Sequence, residues 1–175
     1  MRERDALPAT IRTARLTLRR PNSADLPRLV TLLDNWKVVE PTAVIPFPYT
    51  KDDGREFLDT LNDPDKPRNY AMADGDDSLL GVIGMKFMES KPPEIGYWVG
   101  EPNWGQGYAA EAAFALLAAV RDLGTIPEVR ARVLAHNTAS RRVLEKTGFT
   151  VIEHTTSIVE RHQGKPLLIM GWSAR

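Results

Sequence analysis

The chain has 175 residues, 42% apolar and 26% charged, which suits one domain over 1–175 with a core that needs no disulfide or metal staple. Twenty-three basic residues balance twenty-three acidic ones, which excludes a general electrostatic attraction to nucleic acid or membranes. There is no cysteine, so disulfide frameworks, thiolate zinc sites and cysteine nucleophiles are excluded as well.

The first periodic signal is ARLTLRRP, where Leu16 and Leu18 alternate with polar neighbours as in a strand. A helix follows, capped at Asn22 or Ser23, with Pro27 early and Leu26, Leu29, Val30 and Leu33 on one face. Thr50 and Asp53 form a capping-box pair for a second helix, whose inner stripe is Gly54, Phe57, Leu58 and Leu61. NYAMA and LLGVIGMKFM are strands around the turn DGDDS. KPP is expected to break the chain before the strand EIGYWVG. An alanine-rich helix comes next, with Ala113, Leu116, Leu117, Val120 and Leu123 in one stripe, stopped by Gly124 and Pro127. VRARVL is a strand, and Asn137 to Lys146 a short helix closed by Gly148. FTVIEHTTSIVE and KPLLIMGW form a closing pair around Gln163 and Gly164. The order β-α-α-β-β-β-α-β-α-β-β predicts a layered α/β (α+β) fold.

Charge is uneven. Lys51–Asp77 holds nine acidic and four basic residues, and Glu128–Lys146 five basic and two acidic. Solvated loops account for this as well as a cationic substrate near the first segment and an anionic cofactor near the second. The N-terminus has no apolar h-region and carries Glu3 and Asp5, and no stretch approaches a membrane span; the expected compartment is the cytoplasm. His154 and His162 have no ligand spacing, so no metal site is expected.

WVGEPNWGQGYAAEA carries the chemical signal. Gly105 and Gly107 leave backbone unscreened just before a helix whose first N–H groups are unpaired and whose dipole is positive there. Such a turn can cradle a pyrophosphate, although a plain turn with packing glycines has the same pattern. Gly100 to Gly105 has the spacing of a nucleotide P-loop, but Gln106 and Gly107 stand where Lys and Ser/Thr belong. GQGYAA matches the dinucleotide fingerprint GxGxxA, but the acid expected downstream, Glu128, precedes its strand instead of ending it.

With these stretches on the page, EIGYWVGEPNWGQGYAAEA and NTASRRVLEKTGF resemble the GCN5-related N-acetyltransferases (GNAT), and within them the ribosomal-protein N-terminal (Rim-type) branch. The resemblance covers nearly the whole chain and implies a central, mixed, twisted sheet of about seven strands with helices on both faces. The family's pyrophosphate motif, Gln/Arg-x-x-Gly-x-Gly/Ala, falls on Trp104, Gly105, Gln106, Gly107, Tyr108 and Ala109, with Trp104 replacing Gln or Arg. The resemblance implies acetyl-CoA between the strand ending at Val99 and the strand from Val129 to Leu134. Its pantetheine arm would pair with Tyr97, Trp98 and Val99. Asn137 matches a cofactor-contacting asparagine, and Arg141 and Arg142 are candidates for the adenosine phosphates.

The implied reaction is direct acetyl transfer to a primary amine. Without cysteine no acetyl-cysteine intermediate can form, so a ternary complex is expected. Many relatives carry a tyrosine acid where this chain has Leu144. In the Rim-type branch a serine on the same helix is the proton donor, and Ser140 matches it; a bond back to its own helix is the alternative role. Glu94 is the candidate base, acting through water, and His136 the second choice. Trp36, Phe47 and Tyr49 are candidates for lining the amine pocket, or for core. A protein N-terminal α-amine and a small-molecule amine both stand open as acceptor, as do a monomer and a homodimer. A non-catalytic acyl-CoA-binding module and a dinucleotide enzyme are the competing readings.

Overall fold

The computed structural model describes residues 3–175. Eight strands form one sheet in the order β1-β2-β3-β4-β5-β6-β8-β7. They are β1 Ile11–Arg12, β2 Thr17–Arg19, β3 Arg68–Ala73, β4 Leu79–Met88, β5 Lys91–Val99, β6 Glu128–Leu134, β7 Thr150–Thr156 and β8 Pro166–Ser173. All neighbours are antiparallel except β5 and β6. The helices are α1 Glu3–Ala6, α2 Leu26–Leu33, α3 Trp36–Val39, α4 Lys51–Thr60, α5 Tyr108–Leu123 and α6 Thr138–Lys146.

The layered α/β expectation holds, with one strand more than the seven expected. That strand is the two-residue β1, too short to carry a periodic pattern. The one-turn helices α1 and α3 also escape the sequence reading. KPP does not break the chain. Pro92 and Pro93 lie inside β5, where the register shifts and the two of them oppose Phe87 alone. Missing N–H groups are tolerated at such a bulge and on an edge without a partner.

Alternation along the strands builds a core on each face. On one face Tyr70, Met72, Ile83, Met85 and Ile95 pack beneath Ala112, Ala113, Leu116, Leu117 and Val120 of α5 and Leu144 of α6. On the other, Ala71, Leu79 and Val82 pack with Leu29 and Leu33 of α2, Val38 and Val39 of α3, and Tyr49. Each Leu or Val buried this way contributes about 1.5–3 kcal/mol. The capping box at Thr50 and Asp53 is present, and Gly124 ends α5 in the left-handed conformation. Leu32, outside the expected stripe of α2, is buried too. A Cβ on Gly100 would lie 2.5 Å from its Cδ2, so α2 is seated directly on the exit of β5.

Candidate active site

The two halves of the sheet part company between β5 and β6. Their parallel pairing has a single registered pair, Glu94 with Arg130, after which β6 continues against β8. The other edge of β5 remains paired with β4 up to Val99. Gly100 donates its N–H to Leu80 O at 2.9 Å, which sets the phase of that ladder. Trp98 and Gly96, two and four residues back, therefore spend their backbone groups on Val82 and Gly84. Tyr97 and Val99 direct theirs into the gap. Of the three residues expected to meet the pantetheine arm, Trp98 thus has its backbone engaged elsewhere, and its ring packs with the α2–α3 core. Trp104 donates its indole N–H to Val99 O at 2.6 Å, so that carbonyl already has one partner.

At the mouth of the gap the chain makes a one-turn 3-10 helix, Glu101–Asn103, and then the glycine turn. Gly105 and Gly107 take φ of 72° and 81°, the left-handed region that glycine enters without steric cost. Among the described residues no hydrogen bond takes up the N–H groups of Gly105, Gln106, Gly107, Tyr108, Ala109 or Ala110. A Cβ on Gly105 would meet no heavy atom within 4 Å, and one on Gly107 only Arg15 Nη2 at 3.5 Å. The space over these amides is open. The buried Nδ2 of Asn103, at the end of the 3-10 helix, also has no partner among the described residues. Unpaired donors around the positive end of a sixteen-residue helix fit a diphosphate.

The turn is braced from a distant part of the chain. Arg15 donates through Nη1 to Gln106 O at 2.9 Å and through Nε to Glu111 Oε2 at 2.7 Å, and its guanidinium lies 4.4 Å from the Tyr108 ring centroid. Thr13 donates its hydroxyl to Glu111 Oε1 at 2.6 Å, and Arg15 N–H donates to the same oxygen at 2.8 Å. Burial works to raise the Glu111 carboxyl. The bonds from Thr13 and Arg15 outweigh it and hold the group below the usual carboxylate range. Sequence reading missed Arg15, because its link to Glu111 is purely tertiary.

On the far wall, Asn137 caps α6, its Oδ1 accepting from Ser140 N–H at 3.2 Å. The Ser140 hydroxyl does not bond back to its own helix. It lies 2.9 Å from the Tyr97 hydroxyl, which is also 3.1 Å from Ser140 O. A strand residue and a helix residue thereby meet across the gap. Burial pushes the Tyr97 hydroxyl up to about 12, against a smaller opposing effect of Ser140. Leu144, in the position of the relatives' tyrosine, is buried in the core.

The other candidates are dispersed. Glu94 accepts from Arg132 Nε at 3.0 Å through Oε1. It is three residues from Tyr97 on an unbulged stretch, so its side chain leaves the opposite face of the sheet from the Tyr97–Ser140 pair. His136 is exposed, and its imidazole makes no hydrogen bond among the described residues. Arg141 is engaged by Glu145 of its own helix at 2.8 Å, whereas Arg142 is exposed.

Tyr49 is buried core, but Trp36 and Phe47 are exposed, with ring centroids 5.3 Å apart. Much of the acidic segment serves local structure: Asp52 pairs with Arg55, Asp53 caps α4, and Asp77 pairs with Arg19. The basic segment does likewise, with Arg130 on Glu128 and Arg132 on Glu94. Among the described residues no cluster of His, Asp and Glu could hold a metal ion, and no helix is long and apolar enough to cross a membrane.

Comparison with known proteins agrees with this geometry. Over 150 residues the chain is 27% identical to an uncharacterized N-acetyltransferase p20 of Bacillus licheniformis, covering 80% of this chain and 82% of that one. It is 33% identical over 87 residues to a ribosomal-protein-serine acetyltransferase of Escherichia coli K12, covering 47% and 49% of the two chains. The fold superimposes on a GNAT-family acetyltransferase from Bacillus anthracis with a TM-score of 0.83 at 21% identity, covering 94% of this chain and 98% of that one. It also superimposes on RimL, a ribosomal L7/L12 α-N-protein acetyltransferase solved with coenzyme A, with a TM-score of 0.78 at 18% identity, covering 95% and 97%. Residues 15–150 match the family described as the acetyltransferase (GNAT) domain. That match spans the glycine turn, the divergent strands and the helix bearing Ser140, and the chain belongs to the GNAT acetyltransferase family.

Proposed function

We propose that this protein is an acetyl-CoA-dependent N-acetyltransferase that passes the acetyl group directly to a primary amine. The observation that carries the reading is the conjunction of two unpaired backbone surfaces. One is the run of free amides over residues 105–110, and the other is the open edge of β5 at Tyr97 and the Val99 N–H, the Val99 carbonyl already accepting from Trp104. A ligand with a diphosphate at one end and an amide-bearing arm extending from it suits both surfaces at once. RimL, solved with coenzyme A, adds weight.

Acetyl-CoA, when bound, supplies an activated acetyl thioester. The chain's own residues then divide the work. Gly105 to Ala109 hold the diphosphate through backbone N–H groups, with Trp104 fixing the end of β5 through Val99 O. Tyr97 and Val99 offer N–H and C=O to the arm, and an N–H from this edge faces negative charge developing on the acetyl oxygen. Asn137 holds the start of α6 and so places Ser140. Glu94 retains an oxygen, Oε2, outside its contact with Arg132, and reaches the reacting amine only through water. With no carboxylate or histidine bonded to the Tyr97–Ser140 pair among the described residues, the acceptor needs little help to lose its proton. An α-amine, with a pKa of about 7.7–8.0, meets that condition better than a lysine-like amine at about 10.4. This favours a protein N-terminus or a small α-amino compound.

The buried Leu144 favours one competing reading, a module that binds acyl-CoA without turning it over. Acetyl transfer screened against N-terminal peptides and small amines, alongside calorimetric binding of acetyl-CoA, separates the two. Binding with thiol release on at least one amine is expected. Binding without turnover on any amine leaves the module, and no binding of either acetyl-CoA or CoA removes both.

A further inference from the structure

We propose that Tyr97 is a positioning residue that aims the Ser140 hydroxyl at the sulfur of the bound thioester. This rests on the reading of the gap as an acetyl-CoA site. The Tyr97 hydroxyl has one proton and two acceptors in reach, Ser140 Oγ at 2.9 Å and Ser140 O at 3.1 Å. If the proton goes to the carbonyl, the serine proton turns back onto the tyrosine oxygen and is spent there. If the proton goes to Oγ, the serine proton is released for a third partner. A sulfur acquiring negative charge in the gap selects the second arrangement, because a hydrogen bond to an ionised acceptor is stronger than one to a neutral hydroxyl. The neutral tyrosine keeps its proton throughout this pairing, since its hydroxyl is buried against the wall of the gap.

The device replaces an acid that this chain lacks. Leu144 has no proton and is packed away in the core, so a strand tyrosine and a helix serine together present one O–H to the leaving group. In the transfer, the amine nitrogen forms its bond to the acetyl carbon and the C–S bond breaks with its electron pair on sulfur. The surplus proton on nitrogen leaves to water, and the thiolate takes a proton from water. Ser140 and Tyr97 stay neutral and only donate hydrogen bonds.

The test uses the intact protein with CoA and desulfo-CoA, which differ only in the sulfur. At about pH 10, where a simple alkyl thiol is mostly ionised, the wild-type protein should bind CoA about tenfold more tightly than desulfo-CoA, as one charge-assisted hydrogen bond allows. Ser140→Ala should erase most of that preference, and Tyr97→Phe should do the same while leaving desulfo-CoA affinity within twofold. The double variant should add nothing further. The pH titration of thiolate absorbance of bound CoA gives a second readout, with a lower midpoint in the wild type than in either variant. If Tyr97→Phe weakens both ligands equally, or keeps the full preference, the positioning role is overturned. Should Tyr97→Phe not fold, a preference retained in Ser140→Ala overturns it independently. Failure of the wild-type protein to bind either ligand would instead overturn the reading of the site.

Discussion

At the scale of single residues, the site depends on backbone that side chains leave uncovered. Gly107 illustrates this, since its φ of 81° costs any other L-residue about 1–2 kcal/mol. A side chain there would also point at Arg15, whose Nη2 lies 3.5 Å from the Cβ position. Gly107→Val is expected to lower CoA affinity by at least about a hundredfold, the effect of losing two charge-assisted bonds, with thermal stability falling only modestly. Calorimetric titration with CoA beside a melting curve checks it, and unchanged affinity removes the turn from the site. Residues of this kind are legible in a sequence because their signature is local: two glycines, a short gap, then a helix. Ser140 is legible only through the family resemblance, which gives its partner Tyr97 a backbone role alone. The 2.9 Å contact between them joins residues 43 apart, and no spacing rule foretells it. The surroundings of Glu94 are hidden for a similar reason, because its pairing with Arg132 and its face of the sheet are settled by strand register.

At the scale of elements, α5 is both the core helix of one face and the support of the glycine turn. Its alanine-rich stripe fixes the axis, and the pairing of Glu111 with Arg15 and Thr13 fixes its first turn. An acid this close to the proposed diphosphate site would repel that ligand, but here its charge is matched by Arg15 at 2.7 Å. Arg15→Ala is expected to free Gln106 O, leave Glu111 unmatched and weaken CoA binding about three- to thirtyfold. Arg15→Ala combined with Glu111→Gln should recover part of that loss, because the unmatched charge is gone. Affinities of the two variants measured by calorimetry decide between this and a purely structural brace, for which the second change would not help. Elements of this length are what sequence periodicity reports well, and α2, α4, α5 and α6 all form where expected. What it missed was short or compensated: the two-residue β1, the one-turn α3 capped by Asn35, and the two prolines absorbed by a bulge in β5. Two residues cannot display a period, and a bulge is a relation between strands.

At the scale of the whole molecule, the sheet is nearly two sheets, and what spans the divide governs its behaviour. Tyr97 is one link, and its ionisation belongs to the global unfolding equilibrium. In the unfolded chain the phenol loses its proton near pH 10, whereas in the folded protein it keeps it to about 12. Between those values the unfolded state binds fewer protons, so stability falls as pH rises, by up to roughly 2–3 kcal/mol for this group. Tyr97→Phe should make that part of the alkaline unfolding curve less steep, the buried Tyr49 keeping its own share, and leave the slope below about pH 9 unchanged. The second link is a clasp on the opposite face, where Arg161, in the one-turn helix Glu160–His162 between β7 and β8, reaches the end of α3 and the loop after it. It donates to Val39 O at 3.0 Å, Thr42 O at 3.1 Å and Ile45 O at 2.6 Å, and stacks 5.5 Å from the Trp36 ring centroid. His162 Nε2 meets Glu40 O in the same place. The clasp ties the β6–β8 half to the segment carrying Trp36 and Phe47, on the face away from α5 and α6. Truncating Arg161 would leave three carbonyls without their shared donor, so Arg161→Ala is expected to cost about 1–3 kcal/mol. The loss should be uneven. Hydrogen exchange over residues 39–47 should speed up far more than exchange in β3 and β4, because local opening no longer requires breaking the clasp. CoA affinity should stay within about twofold, since the glycine turn and the β5 edge are untouched. If exchange rises evenly across the sheet, the clasp is not a separate unit and the two halves are held together mainly by the core under α5.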